Sequence, residues 1–236
     1  MLDAQRVLVV QTAFLGDVIL TLPLVQVLRR VAPTAEIDLL VVPRTAELLH
    51  NHPDIHETLI FDKRGVNAGI RGFIGKTKEI RRRGYYCALI PHRSVRSALL
   101  AWAARIPIRI GFDSSSGKMF LTTRVRYDDT IHEIERNLLL LGGLGIRWDG
   151  KEYPKLYPSK SDQEVVDRLV DDSGKGVHDS LLAMAPGTVW NTKRWMAERF
   201  AALAGMLARE GVHVVLIGGP EDVDLCNTIV REAAVP

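Results

Sequence analysis

The feature that most constrains the fold of this sequence is a repeated alternation of short apolar runs with longer segments of helical periodicity. Continuous apolar runs of this kind are typical of strands that are buried on both faces of a parallel sheet. Strands that alternate with helices form βαβ units, so the sequence predicts an α/β fold. The predicted strands are residues 7–11, 37–42, 58–61, 87–90, 108–111, 123–127, 181–185 and 212–217.

Helical periodicity separates these runs and also suggests where the chain divides. It is clearest at residues 24–31, 94–104, 131–141, 163–170 and 197–209, and again from residue 221. Residues 153–162 contain two prolines and two serines and are interpreted as a linker. We therefore predict two domains, residues 1–158 and 159–236. Pro23 cannot donate an intrahelical hydrogen bond and is expected in the first turn of a helix or at a kink.

The second predicted domain is short. Residues 159–236 comprise 78 residues with two predicted parallel strands. An independent α/β domain usually needs about 100–150 residues and four or more strands. We therefore expect this domain to be incomplete, with the chain truncated at its C-terminal end.

The charge distribution favours anionic partners for the first domain. Residues 1–158 contain 23 Lys and Arg against 16 Asp and Glu, whereas residues 159–236 contain 8 against 12. A basic domain is compatible with an anionic acceptor or with peripheral contact with an anionic membrane, although an ordinary solvated surface has the same composition. Nucleic acid is disfavoured as a partner because the basic residues are not interleaved with aromatic ones. The absence of an apolar run of about 18 residues and of a signal-peptide pattern predicts a cytoplasmic protein.

Two strand-to-helix turns carry residues suited to chemistry. The first contains Gly16 and Asp17, and the second contains Gly187, Thr188 and Lys193. Each follows a predicted strand, and ligands of parallel sheets bind at the carboxyl ends of the strands. A carboxylate can act as a general base, whereas a cation beside hydroxyl and backbone donors suits a phosphate. The pair of turns predicts one substrate held between two domains.

The same turns carry a family resemblance. Residues 7–23, in which Gly16-Asp17 leads into an apolar stretch ending in Leu-Pro, resemble the opening segment of the ADP-heptose:lipopolysaccharide heptosyltransferases of glycosyltransferase family 9. Residues 186–195 resemble the phosphate-binding turn of that family, and residues 218–222 resemble its later nucleotide-contacting turn. Residues 132–136 resemble a segment between the two halves. Four matches in the expected order cover nearly the whole chain.

This resemblance implies a GT-B architecture of two Rossmann-like domains that face a cleft. It further implies transfer of heptose from ADP-heptose to the inner core of lipopolysaccharide by a metal-independent inverting displacement, with no cofactor, on the cytoplasmic side of the inner membrane. Asp17 would be the catalytic base, and Gly187, Thr188, Lys193 and Glu221 would bind the donor. The opening segment is most similar to the branch that adds a second heptose. The sequence also has no Asp-x-Asp arrangement for a divalent ion and no HExxH zinc helix.

The predicted acceptor-binding residues lie in the first domain. Gly16 leaves room for a sugar, and Arg93 and Arg96 follow a predicted strand at the ligand-binding edge of the sheet. His132 and Arg136 are four residues apart and share a helix face, which the resemblance places toward the cleft.

Each of these assignments has a simpler structural alternative. Asp17 could only cap its helix, Lys193 could be an ordinary surface residue, and Glu221 could only stabilise the first turn of a helix. His132 could be a helix cap beside a solvated Arg136. Two alternatives for function also stay open, namely a catalytically inactive fragment and a related glycosyltransferase with another donor or acceptor.

Overall fold

The computed structural model describes residues 5–172, 180–188 and 190–233. Contacts divide the chain into two units, with the boundary between Ser159 and Lys160. Each unit contains a parallel sheet of its own. Within the described ranges, the structure contains no helix both long and apolar enough to cross a bilayer.

The first unit is built on a six-stranded sheet in which all neighbouring strands are parallel. Its strands lie in the order β3-β2-β1-β4-β5-β6, so the sheet grows outward from β1 on one side and from β4 on the other. The six strand predictions are confirmed to within two residues at each end. The strands are β1 (Arg6–Val10), β2 (Glu36–Val41), β3 (Glu57–Ile60), β4 (Cys87–Ile90), β5 (Ile108–Phe112) and β6 (Thr123–Val125).

The core of this unit occupies both faces of the sheet. Val7 and Val9 of β1 belong to one buried cluster, and Leu8 and Val10 belong to the other. None of these four side chains is more than 1% exposed. Burial on both faces explains why β1 is a continuous apolar run rather than an alternating one.

The described part of the first unit contains five α-helices, of which four lie between strands and the fifth follows β6. They are α1 (Leu15–Ile19), α2 (Leu22–Val31), α3 (Gly69–Arg82), α4 (Val95–Ala103) and α5 (Glu133–Leu138). Pro23 lies in the first turn of α2, which confirms one of the two positions expected for it.

Two helices of this unit differ from the sequence prediction. Helical periodicity is expected between β3 and β4, but the pattern gives α3 no bounds, because three glycines and several basic residues weaken its signal. The helix predicted over residues 131–141 ends at Leu138 and continues as a 3₁₀ segment, Leu139–Leu144. Gly142 and Gly143 lie in this segment, and glycine disfavours the α-helix by about 1 kcal/mol relative to alanine.

The segment before the unit boundary is fixed to the first unit by α2. Gln26 donates from Nε2 to Glu152 Oε1 at 2.8 Å and to Tyr153 O at 2.9 Å, and its Oε1 accepts from the backbone N–H of Lys155 at 2.9 Å. The helix α6 (Lys160–Asp172) then begins inside the predicted linker. The unit boundary lies within the predicted linker 153–162, and residues 153–159 contain no helix or strand, so the linker is three residues shorter than predicted.

The second unit contains α6, two parallel strands and two further helices. These are β7 (Ser180–Met184), α7 (Ala197–Arg209), β8 (Val212–Leu216) and α8 (Val223–Glu232). Both strands lie within one residue of their predicted ends, and α7 matches its prediction. In the part of this unit that the structure describes, the sheet consists of β7 and β8.

Truncation of a side chain in the two-sided core should destabilise the first unit. Leu39 of β2 has no exposed surface, so Leu39→Ala should lower the free energy of opening of β1 amides by about 2–5 kcal/mol. Hydrogen exchange followed by mass spectrometry measures this free energy directly. Ile60→Ala is the control. Because Ile60 is 43% exposed, its truncation should lower the free energy of opening much less. Equal losses in both variants would contradict the proposed position of the core.

Candidate functional site

The candidate site of the first unit lies where the direction of sheet growth reverses, between β1 and β4. These strands are parallel neighbours, with Val9 opposite Leu89. The chain leaves β1 toward β2 and leaves β4 toward β5, and such a reversal opens a crevice at the carboxyl ends of the two strands. The segments that begin at Gln11 and Pro91 form the two sides of this crevice.

The Gly-Asp pair lies on α1, directly beyond the end of β1. Asp17 is half-exposed, and its Oδ2 accepts a hydrogen bond from the backbone N–H of Phe14 at 3.0 Å. Asp17 therefore helps to cap α1 from inside the first turn, while Phe14 is the N-cap residue. Gly16 is exposed, and a Cβ atom there would meet no atom within 4 Å. The glycine thus leaves open space beside the carboxylate.

A network of buried polar side chains fixes the position of α1. Gln11 Nε2 donates to Thr21 Oγ1 at 3.0 Å, and the Thr21 hydroxyl donates to the backbone oxygen of Asp17 at 2.7 Å. Asn137 of α5 donates to Leu20 O at 3.1 Å. The side chains of Gln11, Thr21 and Asn137 are all at least 95% buried. The backbone of Asp17 is therefore fixed between the end of β1 and α5.

Three polar side chains meet across the crevice. Thr12 Oγ1 lies 2.9 Å from His92 Nδ1 and 3.2 Å from Ser97 Oγ, and the histidine nitrogen lies 3.1 Å from the same serine oxygen. Thr12 follows β1, whereas His92 follows β4, so the cluster joins the two sides. Sequence analysis did not identify these residues. The available signal was that Thr12 and His92 each come just after a predicted strand.

His92 is held neutral at physiological pH. Burial lowers the pKa of His92 to about 4, with smaller contributions from the positive charges of Lys63 and Arg93. The Asp17 carboxylate partly opposes this shift, so it lies near enough to interact with the ring. A neutral imidazole can accept one hydrogen bond and donate another, which suits it to position hydroxyl groups.

Lys63 links the segment after β3 to the Gly-Asp turn. Its Nζ donates to the backbone oxygen of Thr12 at 2.8 Å. Burial lowers the pKa of Lys63 to about 8, and repulsion by Arg96 contributes. Lys63 is a further site residue that the sequence pattern does not identify, because its contact with Thr12 depends on the strand order.

The two arginines that were predicted to bind an acceptor lie near the start of α4 in different surroundings. Arg96 is half-buried and donates to Asn67 O at 2.8 Å. Arg93 is exposed, and its guanidinium carbon lies 4.2 Å from the centre of the Tyr127 ring. Together with Lys63, they place three cationic groups along the same edge of the sheet.

His132 and Arg136 are placed by local contacts. His132 is the N-cap of α5, and its Nδ1 accepts from the backbone N–H of Ile134 at 3.3 Å, as the simpler alternative anticipated. Arg136 is only 8% exposed, so it is not a solvated residue. It donates to the Tyr127 hydroxyl at 2.7 Å and pairs with Glu133. Arg136 thus positions Tyr127, whose ring contacts the exposed Arg93.

In the second unit, the turns after β7 and β8 pack against each other. Asp222 Oδ2 accepts from the backbone N–H of Gly219 at 2.9 Å. A Cβ atom at Gly187 would lie 2.3 Å from the Asp222 carboxylate, so a side chain there would displace this carboxylate from its present position. The predicted phosphate-binding turn and the predicted nucleotide-contacting turn therefore meet at Asp222, which sequence analysis did not single out.

The remaining predicted donor residues lie on the surface of these turns. Thr188 Oγ1 accepts from the backbone N–H of Trp190 at 3.3 Å, and Arg194 donates to the backbone oxygen of Thr188 at 2.9 Å. Lys193 ends a 3₁₀ turn and has an exposed side chain. Glu221 is also exposed, within the 3₁₀ turn Pro220–Asp222. Arg194 therefore shapes the loop, whereas Lys193 extends from it.

One further cluster has the composition of a metal site. Asp38, His56 and Glu57 place ligand atoms within 4.8 Å of one another, toward the amino-terminal edge of the sheet. Arg83 pairs with Glu57 and lies 3.7 Å from Asp38 Oδ2, and the Tyr85 hydroxyl donates to the same oxygen at 2.5 Å. Because Arg83 already supplies positive charge, this cluster is explained as a structural network around a buried carboxylate.

Comparison with known proteins places these turns in a family context. A family model described as glycosyltransferase family 9 (heptosyltransferase) matches residues 76–235. The chain belongs to this family. Lipopolysaccharide heptosyltransferase 2 of Salmonella typhimurium is 26% identical over 233 residues, which are 95% of this chain and 66% of that protein. Lipopolysaccharide heptosyltransferase 3 of Escherichia coli is 26% identical over 94% of this chain and 67% of its own length. The chain thus spans about two thirds of the length of these relatives.

Solved structures of the family have the same fold. A glycosyl transferase family 9 protein from Veillonella parvula matches with a TM-score of 0.89 and 29% identity, covering 98% of this chain and 68% of that protein. The Escherichia coli ADP-heptose lipopolysaccharide heptosyltransferase II matches with a TM-score of 0.77 and 23% identity, covering 96% and 68%. These likenesses confirm the predicted α/β fold class and its GT-B architecture.

The titration of Lys63 tests the electrostatics of this family 9 site. In a ¹³C NMR titration its side chain should show a midpoint at a pH of about 8, well below the usual ~10.4 of lysine. Arg96→Gln should raise this midpoint, because it removes a repelling charge, whereas Arg105→Gln, a change at an exposed arginine of the same unit, should not. An ordinary midpoint in the wild-type protein would show that Lys63 is not buried against Thr12.

Proposed function

We propose that this chain transfers a heptose from ADP-heptose to a sugar of the lipopolysaccharide inner core. The names of its relatives state heptosyltransferase activity on lipopolysaccharide for them, and the name of one solved structure includes ADP-heptose. The observation that carries the proposal is the open space at Gly16 beside the half-exposed carboxylate of Asp17, at the sheet edge where ligands of such folds bind. Family membership supplies the class of reaction.

The proposed reaction is a single displacement. The oxygen of an acceptor hydroxyl forms a bond to the anomeric carbon of the heptose, while the bond from that carbon to the diphosphate breaks. Asp17 takes the proton of the hydroxyl, and ADP leaves with the bonding electron pair. Attack opposite the leaving group inverts the anomeric centre. A positioned carboxylate contributes about 10²–10⁴-fold to such a step.

The surroundings of Asp17 support this role. The carboxylate keeps one hydrogen bond to Phe14, and the backbone of Asp17 is anchored through Thr21. Lys63 fixes the carbonyl of Thr12 at the start of the same turn. A base held in this way loses little freedom when the acceptor binds, which favours the transition state.

The cations along the crevice support an anionic acceptor. Lys63, Arg93 and Arg96 are clustered there, and His92 adds a neutral group that can bind a hydroxyl. Gly16 leaves the space for the sugar. In this proposal His132 and Arg136 act indirectly, because their polar atoms cap α5 and hold Tyr127.

The donor half of the proposal rests on the second unit. Lys193 would neutralise charge on the leaving diphosphate, and the Thr188 hydroxyl and the backbone at Gly187 would donate hydrogen bonds to it. Glu221 would accept hydrogen bonds from the ribose. The packing of Gly187 against Asp222 supports this assignment because it keeps the two turns together. We further propose peripheral association with the cytoplasmic face of the inner membrane, where such an acceptor would be presented.

Removal of the Lys193 charge should weaken donor binding. In calorimetry with ADP-heptose, Lys193→Ala should raise the Kd by about tenfold or more, which corresponds to about 1.4 kcal/mol. Lys160→Ala, which removes an exposed lysine at the start of α6, should leave the Kd unchanged. Equal weakening by both variants would show a general charge effect instead of a phosphate site. Saturable binding without any transfer would favour the inactive alternative, and preference for another nucleotide sugar would favour a different donor.

Replacement of the proposed base should affect the chemical step more than substrate binding. Asp17→Asn keeps an oxygen that can accept from Phe14 N–H but removes the base, so kcat should fall by about 10²–10⁴-fold with little change in KM. The assay is transfer of heptose to a heptosylated inner-core acceptor. Asp149→Asn, at an exposed aspartate of the same unit, is the matched control. If Asp17→Asn kept the full kcat, Asp17 would not be the catalytic base, and its carboxylate would only cap α1.

A further inference from the structure

The segment that connects β3 to α3, together with α3 itself, exposes unusually many apolar side chains. Val66 is 84% exposed, Ile70 is 78% exposed and Ile74 is 46% exposed. Single exposed apolar residues are ordinary, but a contiguous group marks an interaction surface. These three residues follow each other at intervals of four, which places Ile70 and Ile74 on one side of α3.

This exposed side differs from the side of α3 that packs on the sheet. Ile80 is fully buried, and Lys76 is only 7% exposed. Phe73 is half-buried and packs beside Phe61, with ring centres 6.4 Å apart. The helix therefore already buries one face, so the exposed apolar residues are not required for its packing in the described protein.

The exposed side is also strongly basic. Residues 63–82 contain seven Lys and Arg, five of which are exposed, and one acidic residue, Glu79. Arg64, Arg71 and Lys78 are exposed, and Arg81 and Arg82 at the end of the helix are exposed as well. A surface of aliphatic side chains surrounded by cations binds at the headgroup level of anionic membranes. Its aliphatic side chains insert into the acyl region, and its cations bind the lipid phosphates. The apolar members are aliphatic, which disfavours nucleic acid, whose bases stack on aromatic residues.

We propose that the α3 surface, formed by Arg64, Val66, Ile70, Arg71, Ile74 and Lys78, docks on a bilayer of anionic phospholipid. This names the membrane contact surface of the proposed function. The biological purpose of this docking rests on the proposed function, but the attraction of the surface to lipid does not, since it requires no transfer chemistry.

The α3 surface is physically connected to the candidate site. Arg96 holds the backbone of Asn67, and Lys63 binds the backbone of Thr12. Gly72 allows α3 to approach this segment closely, because a Cβ atom there would lie 2.6 Å from Asn67 Cα. A protein docked through this surface would therefore present the crevice to an acceptor that is anchored in the same membrane.

Vesicle cosedimentation tests the proposal. The wild-type chain should bind vesicles of phosphatidylglycerol and phosphatidylcholine in equal parts, should not bind pure phosphatidylcholine, and should be released by salt. The double variant with Arg71→Glu and Lys78→Glu should lower the partition coefficient by at least about tenfold, since each basic residue contributes about fivefold. The double variant with Ile70→Ser and Ile74→Ser should lower it by about fivefold or more.

The matched control is the double variant with Val166→Ser and Leu169→Ser. These residues are 56% and 65% exposed on α6, which carries acidic residues, so their replacement should not change vesicle binding. Circular dichroism and calorimetry with ADP-heptose establish that each variant is folded and report on the proposed function separately. Absence of wild-type binding to the anionic vesicles would overturn the proposal. So would unchanged binding of both α3 variants, or pelleting that does not depend on vesicles.

Discussion

The reversal of strand order between β1 and β4 is the constraint on which the first unit depends. β1 is buried on both faces and is paired along both edges, to β2 and to β4. Because the chain leaves these two central strands in opposite directions, their carboxyl ends open into a crevice. The Gly-Asp turn and the residues after β4 meet there for this reason. The chemistry of the site is therefore a consequence of the topology of the sheet.

The electrostatics of this crevice follow from the same arrangement. Burial removes water from Lys63 and His92 and lowers the pKa of both groups, and their cationic neighbours contribute to both shifts. The site thus combines two guanidinium groups with an amine that titrates near the physiological range and an imidazole that stays neutral. Such a combination can attract an anionic saccharide, and the carboxylate of Asp17 is adjacent in sequence to the open space at Gly16. In the second unit too, residues of two turns come together at the carboxyl ends of neighbouring parallel strands, where Asp222 packs against Gly187.

The sequence predicts the parts of this arrangement that depend on local pattern. Apolar runs identify the strands, and the Gly-Asp and Thr188 turns are found because they follow such runs. The contacts of Lys63 with Thr12 and of Asp222 with Gly187 join residues distant in the chain, so they require the strand order and could not be predicted. The bounds of α3 are not predicted, because its buried face includes Lys76 and its sequence contains glycines, while its exposed face carries isoleucines. Because apolar residues of α3 lie on both its buried and its exposed face, they do not recur with the single 3.6-residue period of an amphipathic helix.

Hydrogen exchange with and without substrates tests the central claim most directly, namely that the paired turns of the second unit hold the donor and the β1–β4 crevice holds the acceptor. Saturating ADP-heptose should protect the backbone amides of Gly187 and Thr188 and the non-proline amides of residues 218–222, while amides of α6 exchange as before. An inner-core acceptor should then protect residues 12–17 and 92–96. Saturable binding of either substrate with protection elsewhere, and none in these segments, would contradict the account.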